Sequence, residues 1–210
     1  VCEGIISHFK KYAREDGLLC CVTDEWNLVD WPDNLRDGYD FPPDGSDEPH
    51  NVINAFYIGC VLQTEQIRDI LDIPHEKESP ALIEAFNREF YDPETELYKD
   101  RRESCHIALH SNILPAFYGF LKDGSERAVG DFIVKKGLCC GVYMAYFLLK
   151  ALCRLGRHMD AYSLIVSQGE HSWYNMVREG ATTCFEAWGK DQKWNTSLCH
   201  PWASAPISVL

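Results

Sequence analysis

The sequence contains no CxxC pair, no GxSxG turn, no phosphate-binding P-loop and no dinucleotide-binding glycine fingerprint. These absences argue against zinc ribbons, thioredoxin-like redox sites, serine hydrolases of the nucleophile-elbow type, and nucleotide-dependent chemistry. Positive charge is also in short supply. Lys and Arg number 20 against 32 Asp and Glu, for a net charge of −12. Phosphate backbones and anionic lipid both need clustered cations, so nucleic acid and membrane surfaces are poor partners. A neutral, polar ligand is compatible with that balance. Long apolar runs are missing as well. The most apolar stretch, Val142 to Leu155, is interrupted by Lys150 and Arg154, and is too short and too charged to span a bilayer. The first residues, Val1-Cys2-Glu3-Gly4, show neither a basic region nor a following apolar segment, so no signal peptide is visible.

What is present suits a globular domain. The chain has 210 residues, 46% of them hydrophobic and 25% charged, enough to bury a core within a single domain spanning 1–210. Ten cysteines are many, but Cys20-Cys21 and Cys139-Cys140 are adjacent pairs that rarely fit a relaxed disulfide. Cys60 and Cys153 lie in apolar helical runs and read as small buried hydrophobes. The expectation is a reduced, cytoplasmic protein. Two metal readings fail on spacing. His106 and His110 stand four apart, but Ile107 occupies the place where a zincin needs Glu. The acidic run Asp37, Asp40, Asp44, Asp47 and Glu48 does not match an EF-hand loop, and reads as a solvated loop. No metal and no cofactor are expected.

Helical periodicity dominates. Ile53, Phe56, Cys60, Ile67 and Leu71 share one face of a predicted helix. Ser79-Pro80 reads as a helix start, with Ser79 as N-cap and Leu82, Ile83, Phe86 and Phe90 as the buried stripe. Further helices are predicted over about Ile107 to Leu121, after Ser125, over Val142 to Leu155, over Asp160 to Val166, and from about Glu170 to Arg178. The Val142–Leu155 helix is apolar on nearly all sides and should lie inside, with Gly156 closing it. A short turn then leads to an amphipathic partner, which makes an αα-hairpin. Strand signals are confined to Leu18–Val22 and Thr182–Phe185. The predicted class is all-α, built of antiparallel helical hairpins, without the fixed period of a regular solenoid.

Two irregular regions hold the chemistry. In residues 180–206, Glu186 is flanked by Phe185 and Trp188, with Trp194, His200 and Trp202 further on. Indole faces suit the C–H faces of a sugar ring, and apolar walls would raise a carboxyl pKa toward the neutral range. The competing reading makes Trp188 and Trp202 core and Glu186 surface. In residues 17–50, Asp30 stands between Trp26 and Trp31 as a hydroxyl binder, a second carboxylate, or a turn cap before Pro32. His110 and Asn112 are candidates for a cavity rim.

The segment Gly180-Ala-Thr-Thr-Cys-Phe-Glu186-Ala-Trp188 resembles the Gly-Ala-Thr-Thr-x-x-Glu-x-Trp signature of α-L-rhamnosidases, the six-hairpin glycosidases of glycoside hydrolase family 78. Val29-Asp30-Trp31 is similar to their Gly-Asp-Trp element. Leu109-His110-Ser111-Asn112, Val142-Tyr143, Leu152-x-x-Leu155-Gly156 and His200-Pro201-Trp202 also match, in register. The resemblance implies part of an (α/α)6 toroid and inverting hydrolysis of terminal α-L-rhamnosides, with a carbohydrate as the partner. It implies Glu186 as general base, and Asp30, Trp31, Trp188 and His200 along the sugar site; Trp194 in the aromatic loop and His110 at the cavity rim are further substrate-binding candidates. The family's general acid lies in an acidic, Arg-containing segment upstream of Asp-Trp, and no such motif is found here. The expectation is therefore the C-terminal portion of a barrel, inactive alone, with the rest of the polypeptide absent. The alternative is a non-catalytic carbohydrate-binding domain of the same architecture.

Overall fold

The computed structural model describes residues 1–210. The chain falls into two compact units, one formed by 1–28 with 40–107, the other by 29–39 with 108–210.

The first unit holds α1 (Cys2–Lys10), α2 (Asn51–Ile70), α3 (Ser79–Phe90), and a hairpin of β1 (Tyr91–Asp92) and β2 (Leu97–Tyr98). α2 packs against both α1 and α3. Its buried face is not the predicted one. Asn51, Asn54, Ala55, Ile58, Val61 and Glu65 are buried, whereas Cys60 is exposed and Ile67 and Leu71 are 46% and 60% exposed. The reason is polar. Asn54 accepts from Leu19 N (2.7 Å) and donates to Leu19 O (2.9 Å), and Asn51 donates to Lys99 O (2.9 Å). Buried amides that satisfy loop backbone are counted as surface by a hydrophobic tally.

The start of α3 is corrected in the same way. Ser79 is the first helical residue, not the cap. The buried Glu65 carboxylate accepts Glu78 N (2.7 Å), Ser79 N (3.0 Å) and Ser79 Oγ (2.5 Å), so a side chain from α2 satisfies the free amides of α3. Leu82, Phe86 and Phe90 form the buried stripe, with the Phe86 ring tilted against those of Phe90 and Tyr98 at 4.6 and 5.7 Å. The β1–β2 hairpin was not predicted. Leu18–Val22 contributes only an isolated bridge between Ala13 and Leu19, and Thr182–Phe185 forms no strand.

The second unit holds α4 (Leu109–Tyr118), α5 (Glu126–Lys136), α6 (Val142–Arg154), α7 (His158–Ile165) and α8 (Trp173–Arg178). α4 packs on α5 and α6, and α6 packs on α7. The α6–α7 turn runs through Gly156, whose φ of +74° is the left-handed conformation that ends helices. On α6, Val142, Met144, Ala145, Leu148, Leu149 and Leu152 are fully buried. The helix is not buried all round. Tyr146 is exposed at 36%, and Tyr143, Tyr146 and Phe147 face a cavity of about 330 Å3 shared with Trp202. α8 begins at Trp173 rather than Glu170 because Ser172 Oγ accepts Asn175 N (3.0 Å) as an N-cap. Both irregular regions contain only short 3-10 turns, at Asp33–Leu35, Pro201–Ala203 and Ala205–Ser208. Eight α-helices and one hairpin of two-residue strands make the class all-α, as predicted.

Candidate active site

Glu186 sits on a loop folded back on itself. Its backbone N–H donates to Ser197 O (2.9 Å), His200 N–H donates to Cys184 O (2.8 Å), and Thr183 Oγ donates to Leu198 O (2.6 Å). The loop is anchored in the core by Trp188, which is fully buried. Its indole N–H donates to Cys140 O (2.6 Å) and its ring meets Trp173 edge-on at 4.8 Å. Trp188 thus takes the core role, and no indole face is open to a ligand there.

The carboxylate itself is held by two donors. Lys193 Nζ lies 2.7 Å from Oε1, and Ser197 N–H donates to Oε2 at 3.0 Å. Lys193 and Glu186 side chains are 9% and 16% exposed. Burial pulls the Glu186 pKa up, but the Lys193 ion pair, the Ser197 N–H and the nearby His200 together hold it below the ordinary carboxyl value. This reverses the expectation from its aromatic neighbours. Burial raises the pKa as predicted, and Lys193, Ser197 N–H and His200 together outweigh it.

Asp30 is fully buried and hydrogen-bonded on both oxygens. Oδ1 accepts Trp31 N (2.8 Å), while Oδ2 accepts Gly141 N (2.6 Å) and bonds His110 Nε2 (2.8 Å). A carboxylate can only accept, so His110 Nε2 carries the shared proton. His110 is equally buried, and its Nδ1 has no partner. Gly141 allows this approach, since a Cβ there would stand 2.3 Å from Trp31 O and 2.6 Å from Asp30 Oδ1. Asp30 is therefore a lock on backbone and histidine, beyond the turn cap considered from sequence.

The remaining candidates separate. The Trp31 ring lies under Lys193 Nζ, 5.3 Å from its centroid. His200 meets Trp202 edge-on at 4.5 Å, and its Nδ1 accepts Trp202 N (3.3 Å). Trp194 is 95% exposed. Glu186, Lys193, Trp31 and His200 thus converge, Asp30 and His110 form their own buried pair, and Trp194 stands in solvent. Lys193 and Ser197 were missed from sequence. Only the spacing of Lys193 from Glu186 could have pointed to it. His106 bonds Asp100 (2.6 Å) and His110 bonds Asp30, so each histidine serves a different carboxylate. No group of three or more His, Cys, Asp or Glu side chains is placed to hold a metal ion. In the first unit, a cavity of about 490 Å3 is lined by Cys20, Cys21, Asn27, Phe41, Glu48 and His50, and burial depresses the His50 pKa to about 3. No helix is long and apolar enough to cross a membrane.

The sequence model of the bacterial alpha-L-rhamnosidase 6 hairpin glycosidase domain matches residues 2–210. The chain belongs to that family. Among solved structures, the family 78 rhamnosidase of Bacillus sp. GL1 is similar with a TM-score of 0.77 at 21% identity, over 98% of this chain and 22% of that one. The Streptomyces avermitilis alpha-L-rhamnosidase complexed with L-rhamnose is similar with a TM-score of 0.71 at 18% identity, over 99% of this chain and 20% of that one. At these identities the likeness establishes the six-hairpin fold. The chain spans about a fifth of the length of these structures. No curated protein matches it. For a rhamnosidase-family domain, the signature around Glu186 thus coincides with the loop that presents a partly exposed, charge-tuned carboxylate.

Proposed function

We propose that this domain takes part in hydrolysing terminal α-L-rhamnosides by inversion, with Glu186 as the general base. The observation that carries this reading is the state of Glu186. It is ionised near neutral pH, held by one donor on each oxygen, and partly open on a loop that bears the family signature. Each carboxylate oxygen keeps a free lone pair, which is what a base needs in order to take a proton from water. An inverting pair of carboxyl groups stands about 6.5–9.5 Å apart, with the attacking water between the base and the sugar. Asp30 does not suit the acid role, because it is fully buried and turned onto Trp31 N–H, Gly141 N–H and His110 in the core. We place the general acid in a segment outside these 210 residues, as the resemblance implies, so that the chain alone is inactive. His200 is the side chain best placed to meet the sugar beside Glu186.

The test is turnover of an aryl α-L-rhamnoside by the complete protein. Glu186→Gln keeps the size of the side chain but removes its basicity, and turnover should fall by about 1,000-fold, within the usual range for losing a general base. Wild-type turnover in this variant would remove Glu186 from the mechanism. The full burial of Asp30 also favours a second reading, a carbohydrate-binding domain without an acid/base pair. Calorimetric binding of L-rhamnose by a complete protein that hydrolyses no rhamnoside would select it.

A further inference from the structure

We infer that Lys193, seated on the Trp31 ring, is a positioning residue that sets the orientation and charge state of the Glu186 carboxylate. The inference rests on the reading of Glu186 as base and assigns a role to two residues beside it.

The geometry is unusual for a lysine. A lysine ammonium is strongly hydrated and is normally left in water on its flexible stem. Here the side chain is only 9% exposed, and its Nζ is engaged on two sides. Glu186 Oε1 lies at 2.7 Å, and the Trp31 ring centroid at 5.3 Å. Burial weakens screening, so both interactions are stronger than they would be at the surface. Trp31 is itself fixed, because Asp30 accepts its backbone N–H while also bonding Gly141 N and His110. The lock at Asp30 therefore holds the backbone from which the Trp31 ring projects, the ring faces the ammonium, and the ammonium holds one carboxylate oxygen. Ser197 N–H holds the other at 3.0 Å. With both oxygens tethered, the plane of the carboxylate is set before any substrate arrives, and such preorganisation is where much of a general base's efficiency originates. Trp31 accordingly acts beneath the base, through Lys193, rather than as a platform for the sugar.

The ionisable groups that face Glu186 are Lys193 and His200, both of which favour its charged form. With the folded pKa of Glu186 below the ordinary value, its ionised form is lost only as the pH falls through that lower value. Removing the lysine charge should move the transition upward, leaving part of the base protonated in weakly acidic solution.

The experiment compares Lys193→Met, Lys193→Arg and Trp31→Phe in the complete protein, with two readouts. The first is kcat and KM for an aryl α-L-rhamnoside between pH 4 and 8. Lys193→Met should raise the acid limb of kcat/KM by about one pH unit and lower kcat up to about 3-fold at pH 5, with recovery at pH 7 and little change in KM. Lys193→Arg should restore the limb, and Trp31→Phe should shift it less than Lys193→Met. The second readout is the carboxyl 13C NMR titration of Glu186, assigned by its disappearance in Glu186→Gln, which needs no catalysis. A higher Glu186 midpoint in Lys193→Met supports the inference. An unchanged midpoint overturns it, even where the variant has lost thermal stability, because a merely structural lysine would move the melting temperature and not the titration. If Glu186→Gln keeps wild-type turnover while the midpoint still moves, the base reading fails and the Lys193–Glu186 coupling stands.

Discussion

Asp30 and Glu186 are both carboxylates in irregular segments of the second unit, and both lie beside tryptophans in sequence. Their surroundings are opposite. Asp30 is fully buried and collects two backbone N–H groups and a histidine. Glu186 is partly exposed, takes one donor on each oxygen, and keeps lone pairs free. The first arrangement ties chain segments together, and the second leaves an acceptor available. Full burial among core donors is a sign of structure, whereas a carboxylate left at a surface opening is a sign of chemistry.

That contrast is tested first by exchanging the effects of the two residues. Glu186→Gln should cost about 1,000-fold in turnover of the complete protein while lowering the urea midpoint less than loss of Asp30, since Lys193 loses a charge partner but keeps a neutral acceptor. Asp30→Ala should do the reverse in kind. It leaves His110, Gly141 N–H and Trp31 N–H without their acceptor in the core, a loss of about 3–5 kcal/mol in equilibrium unfolding. If Glu186→Gln were the more destabilising of the two, the division between lock and base would be wrong. Lys193→Met comes next, with up to about a 3-fold effect on kcat at pH 5. Trp188→Phe should then lower stability by about 2 kcal/mol, because Cys140 O loses its buried donor and the core loses volume. Trp194→Ala should be the smallest, within about 0.5 kcal/mol, since a side chain 95% exposed has little packing to lose. A large loss of stability there would mean that the loop is held differently from the arrangement around Glu186.

The helices of the second unit were legible because their signals are local. Gly156 at a left-handed φ and the apolar run of α6 mark boundaries that the backbone obeys. Ser172 shows the same physics in a place the reading overlooked, capping α8 three residues later than expected. Errors gathered where one element completes another. The buried face of α2 was misread because Asn51 and Asn54 satisfy loop backbone, and the cap of α3 was misplaced because Glu65 reaches it from another helix. The pKa of Glu186 went the wrong way for the same reason. Phe185 and Trp188 are adjacent in sequence and were counted, while Lys193 and Ser197 become neighbours only when the loop folds back.

By itself, the sequence determined the all-α class, most helix boundaries in the second unit, and the family, through the run from Gly180 to Trp188. Those properties follow from periodicity, capping and side-chain identity at short range. Tertiary structure alone decided that Trp188 is core, that Asp30 is a lock, and that Glu186 is paired with a lysine resting on Trp31. Burial and electrostatic pairing depend on which side chains meet across the fold, and no local pattern in the chain records those meetings.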